Sequence, residues 1–342
     1  MRTDFCLEPT VRYPSMHASS VCELASGDLL VCSYAGKREG SPDSVVIGSR
    51  FDRTKKEWSL PEVWVNVAGR APANPRVFIG PDQTVWLLVG INYGRWCSGD
   101  TYLFSKRSYD GGKTWTDLDL LIEAKGLLGR NKPLNNSEVW LIPVEWEKTW
   151  SAAFLRSTDA GRTWQITGDL GREARAHLIQ PTVISLNGQS LLAYMRSQEG
   201  YIYQSRSFDL GNTWTVPEPT TIPNNNSGID MVRMRSGLLA LAYNPVGIPS
   251  SSPRLDNHWP ARMPVGFNRW GKRTPLVVAF SRDDGKTWSR SIILEEGPGE
   301  FSYPAIIQGR DGALHVTYTY NRIGIKHTEI EEREAVDLLP QT

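Results

Sequence analysis

The chain has 342 residues, and its 38 Lys and Arg residues balance 37 Asp and Glu residues to a formal net charge of +1. This balance argues against a nucleic-acid surface and against a polybasic membrane surface. No apolar run approaches the roughly 20 residues that span a bilayer, and the sequence starts without the apolar core of a signal peptide, so we expect a cytoplasmic protein.

In chain order, the predicted elements are short strands that follow a repeated plan. Each repeat has a polar first residue, an apolar strand, a turn and a second apolar strand. The repeats begin near His17, Asn74, Asn131, Gln180, Asn226 and Ser302, at intervals of 46 to 76 residues. Such intervals are typical of four-stranded β-propeller blades. The sequence therefore predicts an all-β protein, a six-bladed propeller of four-stranded antiparallel blades in one domain over residues 1–342. A β-sandwich is the alternative fold.

A second repeat lies between these strands and reads Ser-x-Asp-x-Gly-x-Thr-Trp. It occurs four times, at Ser108–Trp115, Ser157–Trp164, Ser207–Trp214 and Ser281–Trp288. Asp followed two residues later by Gly is typical of a turn, because the Asp side chain accepts backbone bonds and Gly supplies a positive φ. The Trp is a large apolar group that holds the turn against the sheet. We interpret these Asp residues as structural rather than catalytic.

Three segments fall outside this regular plan. A degenerate copy of the second repeat covers residues 52–58 in the first blade. An insertion at about 247–272 is rich in Pro, Ser and Asn and is predicted to form a loop over one face. The sixth blade lacks a fourth strand of its own, so the N-terminal segment at about 5–13 is predicted to supply it and close the ring.

The first residues of inner propeller strands surround one end of a central channel. Polar residues at this place are candidate site residues, and they are His17, Asn74, Asn131, Lys132, Gln180, Asn226, Ser227 and Tyr303. Unpartnered buried polar groups cost about 1–3 kcal/mol each, so a polar ligand or channel water is their natural partner. Asp230 lies four residues after Asn226, at the start of the fifth of these strands, and joins the predicted substrate contacts.

The four Ser-x-Asp-x-Gly-x-Thr-Trp segments resemble the Asp box of the sialidase superfamily, the bacterial-neuraminidase-type (BNR) repeat. In that superfamily the boxes lie away from the active site, which binds the substrate carboxylate with three arginines. A Tyr nucleophile assisted by a Glu, and an Asp acid/base, complete the site. The resemblance places the nucleophile at Tyr303, two arginines at Arg196 and Arg273, and the acid/base at Asp43. Lys37 or Arg38 falls where the family has another basic residue.

Two positions depart from the family pattern. The family's first Arg is replaced by His17, which offers one ring nitrogen where Arg offers a fork of donors. An Arg at position 12 lies five residues upstream and is interpreted as part of the outer strand. The family's Glu is replaced by Gln180, which cannot accept a proton. Glu300, Glu199 or Asp230 is expected to substitute for it, or else Tyr303 has a different role.

Three functions remain open at this stage. The first is a sialidase-like glycoside hydrolase that releases a terminal acidic sugar, sialic acid or a related sugar acid, from a glycan. The second is a lyase or rhamnosidase-type enzyme on uronic-acid glycans, in which His17, His177 and Tyr303 would move protons beside a carboxylate held by Arg196 and Gln180. The third is a non-catalytic glycan-binding propeller. No cofactor and no metal is predicted, because the four Cys residues lack metal-ligand spacing.

Overall fold

The computed structural model describes residues 1–95, 97–136, 138–250 and 269–336, and within them it is almost entirely β-structure. The elements of the first half are β1 (Arg2–Leu7), β2 (Ser15–Glu23), β3 (Leu29–Gly36), β4 (Val45–Asp52), β5 (Glu57–Trp58), β6 (Glu62–Val65), β7 (Ala71–Ile79), β8 (Val85–Asn92), β9 (Thr101–Ser108), β10 (Asp119–Leu120), β11 (Leu127–Leu128), β12 (Leu134–Asn135), β13 (Trp140–Trp146), β14 (Ser151–Ser157) and β15 (Gln165–Thr167). They continue with α1 (Leu170–Ala174), β16 (Leu178–Asn187), β17 (Ser190–Ser197), β18 (Tyr201–Ser207), β19 (Glu218–Pro223), β20 (Asp230–Arg233), β21 (Leu239–Tyr243), β22 (Leu276–Ser281), β23 (Ile292–Glu295), β24 (Phe301–Gln308), β25 (Leu314–Tyr320), β26 (Gly324–Ile330) and α2 (Glu332–Val336). The all-β prediction is confirmed. Neither described helix is long and apolar enough to cross a bilayer.

The strands pair antiparallel within six groups. Groups 1 to 5 contain β2–β6, β7–β10, β11–β15, β16–β19 and β20–β23, and group 6 contains β24–β26 with β1 at its edge. A single parallel contact, Ser151 with Leu178, joins groups 3 and 4. The N-terminal strand was expected at about 5–13; the structure has it at Arg2–Leu7, paired with β26.

Apolar clusters fill the space between neighbouring groups. One cluster, for example, packs Leu87 and Val89 of group 2 against Val46 of group 1. Groups 1 and 6 share a cluster as well, in which Leu7 and Ile325 meet Val31. The core is therefore divided into layers between sheets, as expected when each sheet has two apolar faces.

The Asp boxes form turns held by their own side chains. The Asp110 carboxylate accepts bonds from the backbone N–H of Thr114 at 2.9 Å and from its hydroxyl at 2.6 Å. The Ser108 hydroxyl donates to the same carboxylate at 2.7 Å. Asp159, Asp209 and Asp283 make the same bonds in their boxes. These carboxylates are fully used by the turns, which agrees with a structural role.

A buried histidine pair lies where group 6 meets group 1. Nδ1 of His315 and Nε2 of His327 are 3.0 Å apart, and Nη2 of Arg53 is 3.3 Å from Nε2 of His315. Burial, and then the charge of Arg53, lowers the pKa of His315 to about 4. Burial, and then His315, lowers the pKa of His327 well below its ordinary value. Both rings are therefore neutral in the folded protein at neutral pH.

This pair is expected to make the protein less stable in mild acid. The pKa of His315 in the folded protein lies below the value of 6.5 in the unfolded chain. The contribution of His315 to the free energy of unfolding is therefore complete above pH 6.5 and is lost as the pH falls toward 4. At pH 5 the loss amounts to about 2 kcal/mol from this one group. Urea unfolding of the wild type and of His315→Gln at pH 7.5 and pH 5 measures it. The variant should lose less stability between the two pH values; equal losses would contradict the assignment.

Candidate active site

A cavity of about 630 Å³ opens where the inner strands of several groups begin. Tyr303, Gln180 and Asn74 line it, and these are three of the predicted site residues. Trp150 and the half-exposed Trp270 form aromatic walls. The predicted insertion lies mostly outside the described residues, since 251–268 are not described, but Trp270 and Gly271 at its end line the cavity.

Four inner strands each have a β-bulge near their start, and these bulges determine the backbone conformation beside the cavity. The pairing register shifts between His17 and Ser20, Ala73 and Arg76, Ile179 and Thr182, and Ser302 and Ala305. Inside each bulge one residue has left-handed backbone, namely Ala18, Asn74, Gln180 and Tyr303, with φ of 62°, 44°, 52° and 54°. Non-glycine residues adopt this conformation at an energetic cost, and bulges commonly redirect a side chain near functional sites. The polar residues Asn74, Gln180 and Tyr303 reach the cavity from such positions.

Tyr303 is surrounded by guanidinium groups. Nη1 of Arg196 donates to its hydroxyl oxygen at 2.5 Å, and the guanidinium carbons of Arg130, Arg196 and Arg273 lie 5.0, 5.6 and 5.3 Å from its ring centroid. Arg196 also donates to Oε1 of Gln180 at 2.9 Å and to Oδ1 of Asn226 at 2.8 Å. These contacts fix the guanidinium and stabilise negative charge on the Tyr303 oxygen.

Arg322, from the turn between β25 and β26, adds a third cavity arginine beside Arg196 and Arg273. Its Nε lies 3.0 Å from Glu300 and its Nη1 lies 2.6 Å from Glu39. Arg273 binds the same Glu300 at 2.6 Å. Burial opposes ionisation of Glu300, but the charges of Arg273 and Arg322 lower its pKa. Glu300 is therefore an ionised partner of two arginines and is poorly suited to accept a proton.

Glu145 supplies a carboxyl group of a different kind. It lies on β13, is 2% exposed, and lines the cavity, and its Oε2 has no hydrogen-bond partner among the described residues. Burial raises its pKa to about 7, against the opposing charges of Arg76 and Arg196 and a hydrogen bond from the Gln180 backbone. A carboxyl group that titrates near neutrality in a cavity is suited to proton transfer.

His17 lies against Tyr303 rather than in the cavity. The two ring centroids are 4.1 Å apart, and Nδ1 of His17 is 2.9 Å from the Thr319 hydroxyl. Burial, and then the charges of nearby arginines, lowers the pKa of His17 well below its ordinary value. A neutral ring in this place holds Tyr303 in position; it is not among the cavity-lining residues, and neither is His177.

Two other predicted substrate contacts, Lys132 and Asp230, bind to each other rather than line the cavity. Lys132 holds Asp230 at 2.8 Å, and Asp230 also accepts bonds from the Thr182 hydroxyl and the Ile306 backbone. Ser227 is buried. None of Lys132, Asp230 and Ser227 lines the cavity, and Asn226 acts through Arg196.

The loop at residues 37–44 reaches the cavity through a residue that the sequence did not single out. Arg38 and Asp43 are exposed, and Asp43 accepts bonds from the Lys37 backbone and the Ser41 hydroxyl within the loop. The carboxylate of this loop that lines the cavity is Glu39. Glu39, Glu145 and Arg322 are therefore the site residues that sequence reasoning missed.

The fold and the site together define a class of protein: an all-β protein whose repeated antiparallel sheets carry Asp-box turns and whose cavity is lined by several arginines. The chain belongs to the BNR repeat-like domain family, which matches residues 27–316, and the resemblance to the sialidase superfamily is confirmed. A curated relative, the anhydrosialidase of Macrobdella decora, is 23% identical over 247 residues, which are 64% of this chain and 29% of that protein.

Two solved structures show the same fold. The Hadza microbial sialidase Hz136 superposes with a TM-score of 0.75 at 17% identity, covering 95% of this chain and 67% of that one. A protein of unknown function from Dyadobacter fermentans superposes with a TM-score of 0.76 at 15% identity, covering 97% and 98%. At these identities the likeness concerns the fold alone.

Proposed function

We propose that this protein is a glycoside hydrolase that releases a terminal acidic sugar, sialic acid or a related sugar acid, from a glycan. The observation that carries the proposal is the Tyr303 hydroxyl held 2.5 Å from Arg196 in a cavity that Arg273 and Arg322 also line. Guanidinium groups bind carboxylates with paired hydrogen bonds, so an acidic substrate suits this cavity.

The scaffold for this activity is a closed six-bladed propeller. Six groups of antiparallel strands support this proposal, as does the apolar cluster shared by groups 6 and 1. In such a ring the inner strands converge on one axis. This convergence accounts for the meeting of Tyr303, Gln180 and Asn74, which are far apart in the sequence.

The substrate carboxylate is bound by Arg196, Arg273 and Arg322. Arg322 replaces the arginine whose family position is occupied by His17, and it approaches from the turn after β25. Its present partners are Glu39 and Glu300. When a substrate carboxylate binds Arg322, Glu39 is released from this ion pair; after it takes up a proton from solvent, it can donate that proton to the leaving oxygen. Asp43, the acid expected from the same loop, is exposed outside the cavity.

Tyr303 is the nucleophile, and Glu145 accepts its proton through solvent in the cavity. Gln180, which occupies the family's Glu position, cannot do so. Glu145 lines the same cavity, and its pKa is raised to about 7. The phenolate formed would be stabilised by Arg196, which already donates to the oxygen.

A panel of aryl glycosides tests the proposal, comprising those of sialic acid, of a related keto-sugar acid and of glucuronic acid. We expect release of the aryl group from a keto-sugar acid, with Tyr303→Phe as the inactive control. The mass of the sugar product distinguishes hydrolysis from an internal anhydro product, the activity named for the Macrobdella decora relative.

The other two functions give different results in the same panel. A lyase would leave the aryl glucuronide intact, because C4 of that sugar carries only a hydroxyl group, and would give the ultraviolet absorbance of an unsaturated uronate from a uronic-acid oligosaccharide added to the panel. Because neither His17 nor His177 lines the cavity, this result is not expected. Saturable binding without any product from all three glycosides would contradict the hydrolase proposal and indicate a binding protein.

A further inference from the structure

A second concave region lies between groups 2 and 3, beside the Asp-box turns. This crevice has a volume of about 540 Å³ and is lined by Trp86, Trp140 and Trp164 together with Arg107 and Arg162. It shares no lining residue with the Tyr303 cavity. Its walls therefore form a separate place where a ligand could bind.

The crevice interrupts a regular contact between neighbouring groups. Arg50, Arg107, Arg156 and Arg206 occupy the same strand position in groups 1 to 4, where they pair across the sheet with Leu30, Trp86, Leu141 and Leu192. Arg156 donates to the Leu210 carbonyl at 3.0 Å and Arg206 to the Asp284 carbonyl at 3.4 Å. Arg50 donates to the Gly111 carbonyl. Each carbonyl belongs to the Asp box of the following group, so these arginines tie one group to the next.

Arg107 does not make this contact. Its guanidinium carbon lies 4.1 Å from the ring centroid of Trp86, the cross-strand partner that is Leu in the three other groups. Within the described residues, the Arg107 side chain forms no hydrogen bond or ion pair. Ala160 and Gly161, of the box it would otherwise reach, instead line the crevice. The larger partner therefore keeps Arg107 in the crevice and leaves the interface open.

We propose that this crevice binds an acidic saccharide unit, at a site separate from the cavity. Trp164, which is half-buried, offers an aromatic surface to the C–H face of a sugar ring. Arg107 and Arg162 suit a carboxylate or sulfate group. Asp82 and Asp119, also in the wall, accept bonds from hydroxyl groups. The mixture of aromatic rings with both charge types favours a sugar over an apolar peptide.

Fluorine NMR of protein labelled with 5-fluorotryptophan separates the two sites, because Trp150 and Trp270 report on the cavity while Trp86, Trp140 and Trp164 report on the crevice. The probe is 3′-sialyllactose, titrated into wild type and into Tyr303→Phe, which keeps the probe intact. We expect saturable shifts of the crevice signals with their own Kd. Lactose should give at least about tenfold weaker binding there, because it lacks the charge.

Two variants locate the effect. Arg107→Gln should weaken binding at the crevice at least about tenfold and leave the cavity shifts and turnover of a small aryl glycoside unchanged. Trp86→Leu restores the partner found in the other groups and should abolish binding by letting Arg107 close the interface. Shifts confined to cavity tryptophans, equal shifts with lactose, or shifts only with an acidic aromatic peptide would each overturn the proposal. The shifts of the crevice signals do not depend on whether the cavity is catalytic.

Discussion

Replacing Tyr303 by phenylalanine is expected to lower kcat/KM on the substrate found by the glycoside panel by at least about a thousandfold. The variant keeps the ring that packs on His17 and beneath the arginines, and it removes only the oxygen that Arg196 contacts at 2.5 Å. Loss of a nucleophile removes the covalent route, so the effect should appear in kcat. Steady-state kinetics with purified variant and wild type measure it.

Tyr34→Phe is the matched control. Tyr34 is buried beside His17 but does not line the cavity. The control substitution removes one tyrosine hydroxyl, as Tyr303→Phe does, but outside the cavity. Its kcat/KM should stay within a few-fold of wild type. If Tyr303→Phe retained more than a tenth of wild-type kcat while unfolding at the same temperature as wild type, Tyr303 would not be the nucleophile.

The repeats of the sequence were enough to predict the β-architecture and part of the site. The Asp boxes predicted turns because their bonding is local: the partners of Asp110 lie within four residues of it. Polar residues at the start of the inner strands identified Tyr303, Gln180 and Asn74. These residues meet in one cavity because each lies at the start of an inner strand, and the sequence repeat shows where each inner strand starts.

Glu145 and Arg322 could not be found in this way, because their roles come from packing between distant segments. Glu145 is the next-to-last residue of the otherwise apolar strand β13, and Glu147, just beyond the strand, also lines the cavity; this alternation was the only signal in the sequence of a buried carboxyl group. Arg322 lies in a turn after β25. It binds Glu39 and Glu300, which are 283 and 22 residues away from it in the sequence. Lys132 and Asp230 are the opposite case, because the sequence predicted them as site residues. In the structure they bind each other and do not line the cavity.

Replacing Glu145 by glutamine is expected to lower kcat/KM by about a hundredfold or more at pH 8, where the wild-type carboxyl group is ionised. A base must be deprotonated to accept a proton, so wild-type kcat/KM should rise with pH through about 7, the pKa of Glu145. Near pH 5 only about 1% of this group is ionised, so the difference between variant and wild type should shrink toward nothing. The pH profile of kcat/KM for both proteins measures this.

Glu199→Gln is the control, because Glu199 is a second acid considered for the same role. It binds His177 at 3.2 Å, and it does not line the cavity. Burial opposes ionisation of Glu199, but the hydrogen bonds from His177 lower its pKa overall, so it is already ionised where Glu145 titrates. The control should keep the rise in kcat/KM near pH 7. If the rise persisted in Glu145→Gln and vanished in Glu199→Gln, the proton acceptor would be Glu199, and the cavity carboxyl group would serve only to bind substrate.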